Sequence, residues 1–122
     1  MEEMKKKKDE GAVEIPLDWV SKGGKSKLKV DEAGASCGNL VTWKWAPGKS
    51  GTFYVLFPDD SPFYVREFQC DTHGQYRASV VYNPETMGAR RFKYIIAASD
   101  GDVMHILDPD IIVSKPGGRP GL

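Results

Sequence analysis

"NLVTWKWAPGKSGTFYVLF", residues 39–57, carries the densest structural signal in the chain. Residues 39–45 and 52–57 are runs of β-branched and aromatic side chains, the kind that fit a pleated, half-buried surface. Between them "APGKSG" holds Pro47, Gly48 and Gly51, which interrupt strands and close turns. The reading is two strands joined as a hairpin. Successive side chains of a strand point to opposite sides, so Trp43 and Trp45 share a face, as do Phe53, Val55 and Phe57 on the partner. One of these stripes, or both, must build a core. Turned outward with Tyr54, the two tryptophans would instead offer a platform for a sugar, a peptide or a partner sheet.

The same texture continues on both sides. "PFYVREF" follows the turn cluster "PDDS", and "YRASVVY" is closed by "NPETMG". "RFKYIIAA" runs into "SDGD" and then "VMHI", and Asp-Gly between two strand-like runs is a strong hairpin signal. "LDPDIIV" follows, while upstream "KLKV" and "AVEI" add weaker strands. Only "DDSPFYVREFQ" has room for a short helix, and Pro62 limits its length. Short strands with turn residues between them, about seven in all, predict an all-β sandwich, with a small barrel as the alternative. The expected organisation is an N-terminal tail over 1–11, a sandwich domain over 12–113, and a Gly/Pro-rich tail over 114–122.

At 122 residues, with 40% hydrophobic and 28% charged side chains, the chain has the composition of one folded domain with an ordinary core. Lys plus Arg and Asp plus Glu are 17 each, so no global field draws nucleic acid or an anionic membrane. Lys22, Lys25, Lys27 and Lys29 cluster among glycine and serine without aromatic neighbours, which reads as a solvated loop and edge strand rather than a phosphate track. No segment approaches the ~20 apolar residues of a membrane helix. The charged start lacks an apolar h-region, so the expected location is the cytoplasm. Two cysteines make no disulfide framework, and reduced thiols are expected.

"LVTWKW…GTFYVLF", followed by "RFKYIIAA…DPDIIV", resembles cupredoxin-like β-sandwiches. It is most similar in pattern to a bacterial group of small cupredoxin-like proteins without copper. The residues that carry the resemblance are Trp43, Phe53, Val55, Phe57, Ser61, Pro62, Phe63, Phe92, Tyr94, Asp108, Pro109 and Ile111, spanning roughly 38–113. The resemblance implies a single-domain Greek-key sandwich, cupredoxin-like or immunoglobulin-like. It also implies that Trp43 belongs to the core, leaving Thr42, Lys44 and Tyr54 outside. A type 1 copper site needs two imidazoles and a thiolate with a weak axial ligand. In the resembling family the first imidazole opens the strand after the first core loop, which here falls at about Phe53. The thiolate ends the penultimate strand, which here falls near Ile96. The loop for the remaining ligands has shrunk to "SDGD", and Met104 and His105 follow it without a cysteine. Type 1 copper is therefore not expected.

"CDTH", Cys70 to His73, is the remaining chemical signal. Two ligands do not make a zinc site; His105 and Cys37 would complete a Cys2His2 set only if the fold gathered four distant positions. As a nucleophile pair, Cys70 with His73 or His105 lacks an oxyanion motif, and Asp71 as a strand neighbour points away. The carboxylates of "FPDDSPF" and "LDPDIIV" read first as turn formers. The expectation is a non-catalytic binding or interaction module without a cofactor, meeting a protein partner or a second copy through a sheet edge. A metal-binding protein using Cys70, His73, His105 and Cys37 is one alternative. A carbohydrate-binding module with exposed aromatics is the other.

Overall fold

The computed structural model describes residues 11–116. Of the expected tails, residues 1–10 and 117–122 lie outside the described residues. Among the described residues eleven strands and one helical turn follow one another: β1 (Ala12–Lys22), β2 (Lys25–Lys29), β3 (Ala33–Ala35), β4 (Leu40–Trp45), β5 (Thr52–Leu56), β6 (Glu67–Gln69), β7 (Gln75–Ser79), α1 (Pro84–Met87), β8 (Arg90–Lys93), β9 (Ile95–Ser99), β10 (Met104–Leu107) and β11 (Asp110–Val113). They form sheets of order β2-β1-β4-β7, β10-β9-β5-β6 and β3-β11-β8. The chain is an all-β sandwich, with more strands than the expected seven. The N-terminal third supplies three, and the "RFKYIIAAS" and "MHILDPDIIV" runs each divide into two.

That division is a bend, not a break in register. Met104 faces Ser99, Leu107 faces Ile96, Asp110 faces Lys93 and Val113 faces Arg90, so one antiparallel register runs the whole length. Tyr94 N–H donates to Pro109 O at 3.0 Å and carries the pairing across the bend. One half of this ribbon pairs with β5, and the other half pairs with β3 in parallel. β1 also pairs in parallel with β4.

The expected hairpin over 39–57 is not one. β4 lies in the β2-β1-β4-β7 sheet and β5 in the β10-β9-β5-β6 sheet, so "APGKSG" carries the chain across the core. Both strands alternate as expected, with Val41, Trp43, Phe53 and Val55 buried. Alternation records only that one face of each strand is covered. It does not distinguish strands paired side by side from strands facing each other through the core. The crossing loop is tightly held. Trp45 Nε1 donates to Gly51 O at 2.9 Å. A Cβ on Gly51 would stand 2.9 Å from Trp45 Cζ2 and 3.1 Å from Ser99 O.

Aromatic rings join the two layers. Trp43, fully buried, lies 4.9 Å from Phe68 and 5.4 Å from Phe63 between ring centroids. Its Nε1 donates to the Tyr94 hydroxyl at 3.2 Å, which gives the buried indole N–H its partner. Burial raises the Tyr94 hydroxyl well above its ordinary range. The seam between β6 and β7 is closed by Phe68 stacked on Tyr76 at 4.0 Å.

Two smaller expectations change. "PFYVREF" forms a strand only over Glu67–Gln69, and no helix lies there. Ser61 Oγ accepts from Phe63 N–H and donates to Val65 O, holding an irregular turn that buries Phe63. A helical turn forms instead in "NPETMG", where Asn83 Oδ1 caps Glu85 N–H and Pro84 opens the helix.

Candidate functional site

Strand register places the four metal candidates. Cys37 sits in the turn before β4, beside Val80, because Gly38 N–H donates to Val80 O. Cys70 follows β6 and pairs with Phe53, near the other end of the sandwich, so the two thiols lie at opposite ends and both are free. Cys70 points inward, where its sulfur accepts from Phe53 N–H at 3.4 Å. Cys70, Phe53, Ala98 and His105 occupy one row across β6, β5, β9 and β10. Three strand spacings separate Cys70 from His105, about 14 Å, too far for one metal to bridge. Among the described residues no group of three or more His, Cys, Asp or Glu side chains is arranged to hold a metal ion.

"CDTH" lies in the loop between β6 and β7. Asp71 Oδ1 accepts from His73 N–H at 2.8 Å and from Gln75 N–H at 3.1 Å, the turn-forming use of a short carboxylate. Those backbone donors, Gln75 first, lower the Asp71 carboxyl below its ordinary value. His73 is exposed on that loop.

His105 belongs to a separate cluster. It lies 5.0 Å from Trp19, edge to ring, and its Nε2 is 3.3 Å from Asp100 Oδ2. Trp19 stacks on Trp45 at 5.2 Å, and its Nε1 donates to Ser50 O at 2.9 Å. Lys49 binds Asp18 Oδ1 at 2.7 Å and Trp19 O at 2.8 Å. Both indole N–H groups and the Lys49 ammonium therefore pin the 46–51 loop, leaving a cleft of about 560 Å³ on the Trp19 side and one of about 550 Å³ on the Trp45 side. The platform of Trp43 and Trp45 that would take a sugar does not form: Trp43 is buried, and Trp45 is packed between Gly51 and Gly74.

Several of the remaining carboxylates are engaged, although Asp110 Oδ1 is buried without a hydrogen-bond partner among the described residues. Asp110 Oδ2 accepts from Arg91 at 2.6 Å, Arg91 also binds Glu32 at 2.9 Å, and Asp60 pairs with Arg90 at 2.8 Å. Asp100 Oδ1 accepts from Asp102 N–H and Val103 N–H, both at 2.9 Å. These bonds, with the His105 contact, lower its carboxyl to about 2.

The feature that stands out chemically is a surface. On β10-β9-β5-β6 the side chains pointing away from the core include Met104 and Ile106 of β10, Ile95 and Ala97 of β9, and Tyr54 and Leu56 of β5. Ile106 is 65% exposed, Met104 59%, and Val103 in the adjoining turn 55%. A solvated antiparallel sheet normally alternates apolar and polar residues; apolar side chains on both sides mark a strand with both faces covered. "YIIAA" and "FYVLF" have that second character, yet their outward residues reach solvent, Ile95, Ala97 and Leu56 half-buried and Tyr54 40% exposed. Carboxylates border it: Glu67 on β6, which accepts from the Tyr54 hydroxyl, and Asp102 and Asp108 at the two ends of β10. Lys93, next along the ribbon, lies 3.4 Å from Asp110 and 3.9 Å from Asp108. The same signal stands in the sequence as missing alternation in "YIIAA" and "FYVLF".

Among the described residues no helix is long and apolar enough to cross a membrane. No protein-family model matches the chain, and no curated protein sequence matches it.

Proposed function

We propose that the chain is a non-catalytic interaction module, a copper-free sandwich of the cupredoxin-like class, that binds a protein partner through the outer face of β10-β9-β5-β6. The observation that carries this reading is the apolar outward row Met104, Ile106, Ile95, Ala97, Tyr54 and Leu56 on strands whose opposite faces already form the core. Exposed apolar area of this continuity marks an interaction site in a folded protein. Absence of copper is supported by the positions that would hold its ligands, since Phe53 and Ile96 are buried apolar side chains. A non-catalytic role is supported by the distance between Cys70 and His105, which keeps thiol and imidazole from acting as a pair.

The test uses a photo-crosslinking residue at one position on each outer face, Ile106 or Arg77. In extract of the source cell, position 106 should give a discrete adduct that excess unlabelled protein suppresses and the Ile106→Lys protein does not. Equal adducts from position 77, or products that neither competitor suppresses, would overturn the reading.

A further inference from the structure

We infer that the partner docks as an extended strand added to the free edge of β10, with apolar and acidic side chains alternating along it. This rests on the proposed interaction face and adds the form and chemistry of what meets it.

The backbone is the first consideration. Residue pairs along an antiparallel ladder alternate between those that exchange hydrogen bonds and those that do not. Asp100 N–H donates to Val103 O at 3.3 Å at one end of the β9–β10 ribbon, and Tyr94 N–H donates to Pro109 O at 3.0 Å beyond the other. Counting along the register from either end gives the same result. Ala98 bonds with His105 and Ile96 with Leu107, while Met104 and Ile106 occupy the intervening pairs. The N–H and C=O groups of Met104 and Ile106 therefore point away from β9. No strand pairs with them there, since β10 ends its sheet. A helix, whose own backbone groups are already bonded, cannot satisfy this row; an extended segment can.

Side chains are the second consideration. Met104 and Ile106 stand on the exposed outer face, so apolar residues on that side of an added strand continue their row. Beyond the edge, β2 comes alongside without pairing, and Lys25 and Lys27 wall the groove of about 440 Å³ opposite Ile106. Both lysines are exposed, and neither has a carboxylate partner among the described residues. The carboxylates near β10 are placed elsewhere. Asp100 contacts His105 and accepts from its own turn, Asp108 lies 3.9 Å from Lys93, and Asp102 is in the turn beyond the strand. Residues of the added strand that face β2 therefore meet positive charge, which Asp or Glu complements. A second copy of β10 fits less well, because it would bring its own Lys25 and Lys27 to the same groove.

The probe is a synthetic peptide of about eight residues that alternates valine and glutamate. One control alternates valine and lysine, and the other is the first peptide N-methylated at every amide. Amide hydrogen exchange of the full chain is followed by NMR. In the dilute free chain Met104 and Ile106 should exchange freely, and His105 and Leu107 slowly. The valine–glutamate peptide should slow Met104 and Ile106 by roughly tenfold or more. It should bind roughly tenfold tighter than the valine–lysine peptide at low salt, and its N-methylated form should not bind. The Lys25→Glu/Lys27→Glu protein should reverse the charge preference. Met104 and Ile106 already protected in the dilute free chain, or left unprotected by the valine–glutamate peptide, would overturn the strand assignment. So would equal affinity for the two charge types, or equal binding of the N-methylated peptide. A specific crosslink from position 106 would in those cases leave the interaction face standing. Protection that rises with protein concentration alone would replace the partner strand by a second copy. No protection by the peptide, together with no specific crosslink from position 106, would overturn both.

Discussion

The two sheets that share the core present opposite surfaces to solvent. On β2-β1-β4-β7 the outward residues include Glu14, Asp18, Lys25, Lys27, Lys29, Thr42, Lys44 and Arg77, and Lys44 pairs with Glu14 at 3.1 Å. On β10-β9-β5-β6 the corresponding positions are mostly apolar. The core beneath is the same, so burial against it cannot explain the contrast. A sheet face that water covers is under no pressure to be apolar; one that a partner covers is. The edges differ as well. β2 carries three lysines on its outward side, a usual protection against unwanted strand pairing, whereas β10 reads "MHIL" and carries no formal charge apart from a protonatable histidine.

The contrast can be tested first by cutting the same residue type on the two sides of one sheet. Ile96 is fully buried and Ile106 mostly exposed. Ile96→Ala should cost about 2–5 kcal/mol by chemical denaturation, and Ile106→Ala no more than about 0.5 kcal/mol. Similar losses would mean that the outer face is part of the fold's own packing. Next, Tyr94→Phe should cost about 1–3 kcal/mol, because it leaves the buried Trp43 N–H without its acceptor. An unchanged midpoint would show that the bond across the core contributes nothing. A paired Met104→Lys/Ile106→Lys protein should keep its stability within about 0.5 kcal/mol and lose most of its binding of a hydrophobic dye. Lys44→Ala on the other face should leave dye binding unchanged.

The smallest effect concerns the turn that borders the apolar face. Asp100, lowered to about 2 from an ordinary 3.8, stabilises the fold while ionised. Its contribution is full above the unfolded value and is lost as pH falls through about 2. Asp100→Ala should therefore destabilise by a constant amount above about pH 5, and the difference should shrink as pH falls through about 2. A difference unchanged down to pH 2 would mean that the carboxylate bonds to Asp102 and Val103 N–H do not form in solution.

Much of the fold could be read from alternation. "LVTWKW" and "QYRAS" place Trp43, Tyr76 and Ala78 on one side and Lys44 and Arg77 on the other, as found. "SDGD" closes the β9–β10 hairpin for the reason its composition suggests, with Asp100 bonding its own turn. The path of residues 46–51 was not legible, because strands that face across a core and strands that pair alternate alike. The Trp19–Trp45 stack was hidden for a related reason: the rings come from β1 and β4, and only their parallel pairing brings them together. "CDTH" could be placed in a loop because it falls between two strand runs. The roughly 14 Å between Cys70 and His105 appeared only once β5 and β9 were placed between them.

The central claim is that the outer face of β10-β9-β5-β6 is covered where the protein works. Met104 and Met87 are both well exposed, at 59% and 67%, but only Met104 lies on that face. Exposed methionines oxidise readily to the sulfoxide, which makes the pair an internal ratio. Mild peroxide treatment followed by peptide mass spectrometry should oxidise both residues to similar extents in the purified chain. In extract of the source cell, Met104 should be protected several-fold relative to Met87. An unchanged ratio between the two samples would contradict the claim.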